Sequence, residues 1–469
     1  MPRKPDLSFV RFFFVCSISK FETDGIQSHH TRPTGVGVLL ANLGSPSVLS
    51  VGGLRSFYAE FLADRRVIEV PRLLWNVILY GFILPFRPYK ILPQYAAVWN
   101  QQLDKSPLLV ISEAQRDKLQ AALEAALGVG NVKVAVGMRY GEPSIASALA
   151  ELARCERIVV LPLYPQPAAP TSASTFDAVA DCLRGWRNVP SLRFVAGYAD
   201  EPRLVRLLAD SVRRFWQAAR DAGDEHPLPD RLLISFHGVP RSTLLAGDPY
   251  HCLCTKTARL LADELGLAYF DAENNDTFST RRPDPANADE VTFGISFQSR
   301  FGFAEWVRPY SIEVVEEWGK AGVERMDIIA PAFSADCLET LEEISIGLAE
   351  TFHHAGGKRL RYIPALNDAD DAIQFYSDLV LRNMLGWPEQ RLLDEKVQQR
   401  IAPPSAPRTA ADAKLACQRA IVRSLELAAK PLAADVHHMP TVAAPSTPPT
   451  AAAATASPAA ATQKNKKNK

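Results

Sequence analysis

Short apolar runs that alternate with helical patterns constrain the fold of this chain more than any other feature. The first run lies in VGVLLANLGSPS, which begins at Val36 and turns at Asn42, Leu43 and Gly44. The later runs are Val132–Val136, Ile158–Leu163, Leu192–Gly197, Leu232–Phe236, Val291–Phe297, Met326–Ala330 and Arg361–Ala365. Strands that alternate with helices pair in parallel and are buried on both faces of their sheet. The sequence therefore predicts an α/β fold.

The pattern restarts midway along the chain, which predicts two similar Rossmann-like lobes. We place the break near Leu183–Ser191, so the lobes cover residues 35–187 and 188–395. A cleft between two such lobes is the default ligand site. Residues 271–290 are polar and interrupted by proline, which indicates an inserted surface loop in the second lobe. Residues 396–469 form a tail rich in alanine and proline, and most of it lacks the apolar residues needed to fold.

The N-terminal 34 residues form a separate, peripheral segment. Four cations accompany the short apolar run Phe9–Cys16, and Asp6 is the only acid before Glu22. This balance is compatible with an organellar transit peptide, and a wrongly assigned start is the alternative.

Composition excludes several classes of protein. Lys and Arg number 52, as do Asp and Glu, so no net charge favours nucleic acid as a partner. The seven cysteines are scattered and odd in number, which argues for a reducing compartment and against a disulfide framework. No GxGxxG follows a strand and no GxxxxGK[ST] occurs, so a Rossmann oxidoreductase and phosphate-cradling cofactors gain no support.

One apolar segment, Leu73–Phe86, is dense in aromatic and aliphatic residues but too short and interrupted to span a bilayer. A buried helix is one interpretation of it. A lip that touches a membrane surface or covers an apolar ligand is the other.

The strand Leu232–Phe236 leads directly into His237, and Gly238 and Pro240 then end it. In open α/β sheets, ligands bind beyond the carboxyl ends of strands. Histidine at such a position can act as a base near neutral pH or as a metal ligand. A packed loop histidine is the alternative.

A second strand end offers carboxylates. On a helix after Met326–Ala330, Glu339 and Glu343 would lie one turn apart on one face, with Asp336 close by. Neighbouring carboxylates raise the pKa of at least one of them and form a hard oxygen site for a divalent cation. A solvated acidic first turn is the alternative. The close pair Cys252 and Cys254 is interpreted as structural, because further metal ligands at suitable spacing are lacking.

Two other strand ends carry polar groups. LPLYPQPAAPTSAS places Tyr164 and Gln166 after one strand. FQSRFGFAEW places Gln298, Ser299 and Arg300 after another, where Arg300 could anchor a carboxylate.

Taken together, these motifs resemble those of the ferrochelatases, which insert ferrous iron into protoporphyrin IX to form protoheme with release of two protons. The likeness covers roughly residues 36–388 and is closest to bacterial members. It includes FLADRRVIEVPRLLW, MRYGEPSI, LPLYPQ, SFHGVP, GDPYHCLCTKTARLL, FQSRFGFAEW, DCLETLEE and YIPALND. The resemblance implies the class II chelatase fold, two parallel-sheet lobes flanked by helices that grip the porphyrin in the cleft between them.

The resemblance also implies roles for particular residues. In the family, the histidine of the SFHG-type motif, here His237, faces the first glutamate of the ETL motif, here Glu339, across the bound porphyrin. We favour His237 as the proton acceptor, with Glu339 and Glu343 guiding the metal. The reverse assignment stays open, and His237 is also a candidate metal ligand. The candidate porphyrin-binding residues are Arg87, Tyr95, Ser106, Arg139, Tyr164 and Trp306.

Three departures from the family pattern stand out. Pro167–Pro170 follow YPQ where the family has aromatic and hydroxyl residues, Gly347 stands where the acidic line commonly continues, and Cys337 replaces a histidine of some relatives. The tail holds only Cys417, so no [2Fe–2S] cluster and no permanently bound cofactor are expected.

Two other functions stay open at this stage: a chelatase for coproporphyrin or for cobalt, and a porphyrin carrier without catalysis. The partners implied are protoporphyrin IX and Fe²⁺, with peripheral contact to a membrane. The basic N-terminus and the long tail favour a mitochondrial inner-membrane location, with a cytoplasmic enzyme as the alternative.

Overall fold

The computed structural model describes residues 35–271, 283, 290–302 and 304–401. The predictions for residues 1–34, for most of the 271–290 loop, for Cys417 and for the tail beyond residue 401 lie outside the described residues.

The first lobe is built on a parallel sheet of four strands in the order β2-β1-β3-β4. Its strands are β1 (Val36–Gly44), β2 (Val132–Tyr140), β3 (Arg157–Pro162) and β4 (Ser191–Phe194). Its helices are α1 (Val51–Ala63), α2 (Arg72–Ile78), α3 (Leu84–Val98), α4 (Pro107–Leu127), α5 (Ile145–Glu151) and α6 (Ser174–Arg184), with π-helical turns at Leu79–Ile83 and Ala169–Ala173. Seven of the nine β1 positions are buried in an unbroken run, as expected for a strand covered on both faces.

The second lobe is built on a parallel sheet of five strands in the order β6-β7-β5-β8-β9. Its strands are β5 (Arg231–His237), β6 (Ala268–Tyr269), β7 (Thr292–Gln298), β8 (Arg325–Ile329) and β9 (Arg359–Ile363). Its helices are α7 (Pro202–Asp221), α8 (Arg241–Leu245), α9 (Tyr250–Leu265), α10 (Ser311–Lys320), α11 (Ala349–His354), α12 (Asp370–Asn383) and α13 (Glu395–Ile401), with a π-helix at Glu339–Leu348 and a 3₁₀ turn at Pro388–Leu392. The prediction of two parallel-sheet lobes flanked by helices is confirmed.

One strand belongs to a different lobe than predicted. The run at Leu192 was expected to open the second lobe, but β4 pairs with β3 along Arg157–Val160 and closes the first sheet. The second sheet begins only at β5, so the boundary lies later in the chain than residue 187. An apolar run fixes that a strand exists, whereas the choice of sheet depends on contacts distant in sequence.

The two lobes share a core and meet along their strand ends. One continuous cluster of buried side chains includes Leu40 and Leu161 of the first sheet and Ile234 of the second. After β8, the Ser334 hydroxyl donates a 2.6 Å hydrogen bond to the carbonyl of Leu163, just beyond β3. The carboxyl edges of the two sheets are therefore adjacent, which is where residues following the strands can meet.

The segment Leu73–Phe86 is not a buried helix, so that interpretation is wrong. Helix α2 has no buried residue, and Leu73 is 87% and Phe86 70% exposed. Trp75 holds α2 in place by donating to the carbonyl of Leu62 at 2.6 Å, and Arg72 donates to the next carbonyl. The segment from α2 to α3 is hereafter called the lip. None of the helices described is long and apolar enough to cross a membrane.

The Cys252–Cys254 pair does not form a metal site in helix α9. Residues two positions apart on an α-helix point in nearly opposite directions. Cys254 is fully buried, and burial raises the pKa of its thiol well above the usual value. The structural interpretation of this pair agrees with that arrangement.

Candidate active site

His237 ends β5 with its ring held in one orientation. Its Nδ1 lies 2.7 Å from the carbonyl oxygen of Gly238, which can only accept a hydrogen bond. The neutral ring therefore carries its proton on Nδ1, and the lone pair of Nε2 stays free. A side chain at Gly238 would not fit, because its Cβ would lie 2.9 Å from the Gln298 carbonyl oxygen and 3.0 Å from Trp306. The backbone thus prepares His237 to accept a proton or bind a metal through Nε2.

Glu339 and Glu343 lie on one helix, as predicted, but the helix is of the π type rather than the α type. It begins at Glu339 and runs to Leu348, at the carboxyl edge of the same sheet that presents His237. Its wider turn, closed by i→i+5 hydrogen bonds, is rare and occurs frequently at functional sites. The Glu343 carboxylate accepts a hydrogen bond from the hydroxyl of Ser299, which follows β7.

Glu343 is poised to titrate near neutral pH. Burial raises the pKa of its carboxyl to about 7, and the negative charge of Glu339 adds to that rise. The Ser299 hydroxyl and the Arg87 guanidinium oppose it without cancelling it. The sequence predicted that repulsion between the two glutamates raises the pKa of one of them. In the structure, burial is the larger cause of the raised pKa of Glu343.

This raised pKa predicts a pH-dependent effect of Glu343→Gln on stability. The native carboxyl keeps its proton up to about pH 7, while the unfolded one releases it near its usual value of 4.5. The native state therefore binds more protons between these values, and the charged group costs stability as pH rises. Glu343→Gln should raise the free energy of unfolding by about 3 kcal/mol at pH 8 and by under about 1 kcal/mol at pH 5.

Urea unfolding at the two pH values measures this difference. Glu350→Gln, an exposed change of the same charge on α11, is the control and should stay within about 0.5 kcal/mol of the wild type. An equal gain from Glu343→Gln at pH 5 and pH 8 would contradict the account.

Asp336 is close to the glutamates but is not free to bind a metal. Its carboxylate accepts hydrogen bonds from Thr340 at 3.0 Å, Tyr362 at 2.8 Å and Asn367 at 2.7 Å. These bonds fix the turn that leads into the π-helix. The described part of the chain contains no group of three or more His, Cys, Asp or Glu side chains that could hold a metal ion.

An unbroken series of ring and guanidinium contacts joins His237 to the lip. The His237 ring lies 6.3 Å from Trp306, and Trp306 packs edge-on to Phe301 at 4.8 Å. The Arg87 guanidinium follows, 5.8 Å from the Phe301 ring and 5.4 Å from the Tyr58 ring. These residues line a wall that runs from the second lobe to the first.

The tyrosines of the first lobe are close enough to feel the glutamates. Burial raises the pKa of Tyr58 to about 12; Arg87 lowers it in part, and Glu339 and Glu343 add to it. Burial also raises the pKa of Tyr95 well above its usual value, with Glu339 as the next cause. The structure therefore brings six of the predicted residues close together: His237, Glu339, Glu343, Arg87, Tyr95 and Trp306.

Two predicted porphyrin contacts have other partners instead. Ser106 is only 2% exposed, and its hydroxyl caps α4 by accepting from the Leu109 amide at 3.2 Å while lying 2.5 Å from the Ser45 hydroxyl. Arg139 donates to the Ser174 hydroxyl and pairs with Asp64. Both residues hold the strand ends of the first lobe in place.

The Asp64 carboxylate is the centre of this second arrangement. It accepts hydrogen bonds from Ser174 at 2.5 Å and Tyr140 at 2.9 Å, besides its ion pair with Arg139. Burial alone would raise the pKa of Asp64, but the hydrogen bonds outweigh it and the pKa lies below its usual value. Tyr164 lies nearby with its hydroxyl buried and without a hydrogen-bond partner.

Sequence reasoning missed Tyr58 and Phe301 as members of the site, and named Ser299 only as a polar residue after a strand. Ser299 and Phe301 lie in FQSRFGFAEW, where the prediction singled out Arg300 for a carboxylate. The Arg300 guanidinium instead lies 4.9 Å from the Tyr310 ring. Tyr58 occupies a helix position with no distinguishing signal in the sequence.

Comparisons with known proteins identify the family of this chain. A model of the Ferrochelatase family matches residues 35–384. A protein named Ferrochelatase from Nitrosococcus oceani is 44% identical over 365 residues, which are 77% of this chain and 90% of that protein. Another of that name, from Thioalkalivibrio sulfidiphilus, is 46% identical over 362 residues with the same two coverages. Among solved structures, SirB from Bacillus subtilis with Fe³⁺ is 12% identical, with a TM-score of 0.41 over 77% of this chain and all of that one.

Proposed function

The chain is a metal chelatase of the ferrochelatase family, which acts at the terminal step of heme biosynthesis, and we propose that His237 and Glu339 carry out the insertion of Fe²⁺ into protoporphyrin IX. The observation that carries this assignment is the free Nε2 of His237 on the same sheet edge as two glutamates, one with its pKa raised to about 7.

Metallation requires that two pyrrole N–H protons leave the ring while Fe²⁺ loses its water. We assign the first task to His237. Its Nδ1 proton is committed to the Gly238 carbonyl, so Nε2 can accept one pyrrole proton, release it to solvent and then accept the second, each time without a change of tautomer. The resulting imidazolium keeps the same hydrogen bond, which stabilises its charge.

We assign the second task to Glu339 and Glu343. Carboxylate oxygens suit a divalent cation, and a cation beside Glu343 favours loss of its proton. With its pKa near 7, that carboxyl releases its proton at little cost when Fe²⁺ arrives. The negative charge that this leaves on Glu343 offsets part of the positive charge that Fe²⁺ brings to the site.

Two unpaired donors support binding of the porphyrin carboxylates. The Nε of Arg87 and the Nε1 of Trp306 are buried and have no hydrogen-bond partner among the residues that the structure describes. A buried donor without a partner costs free energy, and a carboxylate that reaches it relieves that cost. The apolar lip favours protoporphyrin over coproporphyrin, which carries more carboxylates.

The proposal is tested by anaerobic Fe²⁺ insertion into protoporphyrin IX, followed by absorbance. We expect conversion to protoheme at a rate proportional to protein. Turnover of coproporphyrin alone would overturn the substrate assignment but leave the chemistry. Tight porphyrin binding with no metallation would mean a carrier.

The lip also supports peripheral contact with a membrane surface. Its outward side chains include Leu73, Val77, Tyr80, Phe82, Phe86 and Tyr89. No acidic residue occurs between Glu69 and Asp104, whereas Arg72, Arg87 and Lys90 carry positive charge. An exposed apolar and aromatic surface with cations only is typical of segments that lie in the interface of an anionic membrane.

Charging the lip should therefore remove the protein from membranes. We expect the double variant Leu73→Glu, Val77→Glu to bind vesicles of phosphatidylcholine and phosphatidylglycerol at least about ten-fold more weakly than the wild type, because each added acid opposes the anionic surface. Ile312→Glu, at an exposed apolar position on α10 of the other lobe, is the control and should bind as the wild type does. Equal cosedimentation of all three proteins would contradict the proposal.

A mitochondrial location stays a prediction, with the cytoplasmic alternative open.

A further inference from the structure

We infer that Gln298 is a positioning residue. A directed chain of buried hydrogen bonds uses its side chain to hold the main chain of Glu339, while its backbone carbonyl holds the amide of Gly238, the residue next to His237. The inference rests on the proposed function, because it concerns how that site is kept in register. Gln298 is 5% exposed and bonds the backbone carbonyl of Glu339 and the backbone amide of Gly238, which follows His237.

The backbone of Gln298 fixes the His237 side of the site. The two residues are register partners across β5 and β7. The Gly238 amide donates to the Gln298 carbonyl at 2.8 Å, and the Gly238 carbonyl in turn accepts from the His237 ring. The tautomer of His237 therefore depends on the backbone of Gly238, the residue whose amide Gln298 holds.

The side chain of Gln298 fixes the Glu339 side. Its Nε2 donates to the Glu339 carbonyl at 3.3 Å, and its Oε1 accepts from the Ser235 hydroxyl at 2.8 Å. A flipped amide would place Oε1 against the carbonyl oxygen of Glu339, which cannot donate. The amide thus has one allowed orientation.

Two further serines extend the chain and set its direction. The Ser311 hydroxyl lies 3.0 Å from that of Ser235 and 2.9 Å from that of Ser296. Each hydroxyl has one proton, and that of Ser235 is given to Gln298, so Ser311 must donate to Ser235 and Ser296 to Ser311. The protons therefore all point toward Glu339. The three serines are essentially inaccessible to solvent, so water cannot easily replace a lost partner.

The chain should act on metal handling rather than on porphyrin binding. It anchors the first residue of the π-helix, which carries both metal-guiding carboxylates, and none of its hydroxyls or its amide belongs to the wall of Trp306, Phe301 and Arg87. Partners that orient metal-binding side chains typically affect metal affinity or activity by about 10- to 100-fold when removed. Gln298→Met keeps the length of the side chain but removes both hydrogen bonds.

The test is steady-state insertion of Fe²⁺ with each substrate varied in turn. For Gln298→Met we expect kcat/KM for Fe²⁺ to fall about 10- to 100-fold, with the KM for protoporphyrin unchanged. The matched control is Gln120→Met. Gln120 is a half-buried glutamine whose amide also bonds two backbone groups, the Val132 carbonyl and the Val134 amide, at the edge of the first sheet. The Gln120→Met variant should be less stable than the wild type but keep its kcat/KM for Fe²⁺ and its KM for protoporphyrin.

A second variant keeps the inference testable if Gln298→Met does not fold. Ser235→Ala removes a single hydroxyl and should lower kcat/KM for Fe²⁺ in the same direction, by a smaller factor. Because both changes break one chain, the double variant should lose no more than Gln298→Met alone.

The inference would be overturned if Gln298→Met or Ser235→Ala kept the wild-type kcat/KM for Fe²⁺, or if the KM values for Fe²⁺ and for protoporphyrin rose equally. Additive losses in the double variant would also overturn it. So would the same loss of kcat/KM for Fe²⁺ in Gln120→Met. Failure of the wild type itself to metallate a porphyrin would be a failure of the proposed function instead.

Discussion

His237→Ala is expected to lower the rate of Fe²⁺ insertion about 1000-fold while protoporphyrin still binds. The variant loses Nε2, the acceptor proposed for the pyrrole protons, and removal of a positioned general base costs about 100- to 10 000-fold. Binding should persist because Arg87, Trp306 and the aromatic wall do not depend on the imidazole for their own contacts. Quenching of the variant's intrinsic fluorescence by porphyrin measures binding, and absorbance measures insertion.

His353→Ala is the matched control for this change. Its ring also directs Nδ1 to a backbone carbonyl, that of Gly357 at 3.1 Å, but it lies on α11 and outside the site. It should insert iron as the wild type does. Insertion by His237→Ala within about ten-fold of the wild type would rule out the imidazole as the main proton acceptor.

Glu339→Gln is expected to reduce insertion by about 100- to 1000-fold, chiefly through weaker use of Fe²⁺. Glutamine keeps the size and the π-helix but removes the negative charge that a divalent cation needs. The charge of Glu339 also helps to raise the pKa of Glu343, so its loss should lower that pKa and shift the pH at which Glu343 titrates downward.

The pH dependence of the insertion rate distinguishes loss of the coupling between Glu339 and Glu343 from loss of a metal ligand alone. We expect the variant's residual activity to level off at a lower pH than that of the wild type, because Glu343 ionises earlier. An unchanged profile would contradict the coupling between the two carboxyls. Glu350→Gln, which removes an exposed charge beyond the site, should alter neither rate nor profile.

The strands could be predicted because each is an apolar run bounded by turn residues. The run at Leu232–Phe236 became β5 with His237 at its end, and Val132–Val136 lies within β2. The short β6, Ala268–Tyr269, was missed because its apolar run, Leu267–Phe270, is only four residues long. The placement of β4 could not be predicted, since pairing with β3 depends on contacts between distant segments.

The positions of His237 and Glu339 could be predicted for the same reason, because each residue follows the end of a strand. The type of helix could not, because the spacing of Glu339 and Glu343 suits an α-helix as well as a π-helix. Asp336 looked equivalent to the glutamates in sequence, yet its hydrogen bonds to Tyr362 and Asn367 give it a structural role. Tyr58 enters the site only through the packing of the lip against the second lobe.

The division of labour between His237 and the glutamates is tested most directly by equilibrium binding of Fe²⁺ to the porphyrin-free protein, measured anaerobically by titration calorimetry. We expect His237→Ala to bind Fe²⁺ as the wild type does and Glu339→Gln to bind it at least about ten-fold more weakly. The opposite result, with affinity lost in His237→Ala and kept in Glu339→Gln, would make the histidine the metal ligand and contradict the assignment.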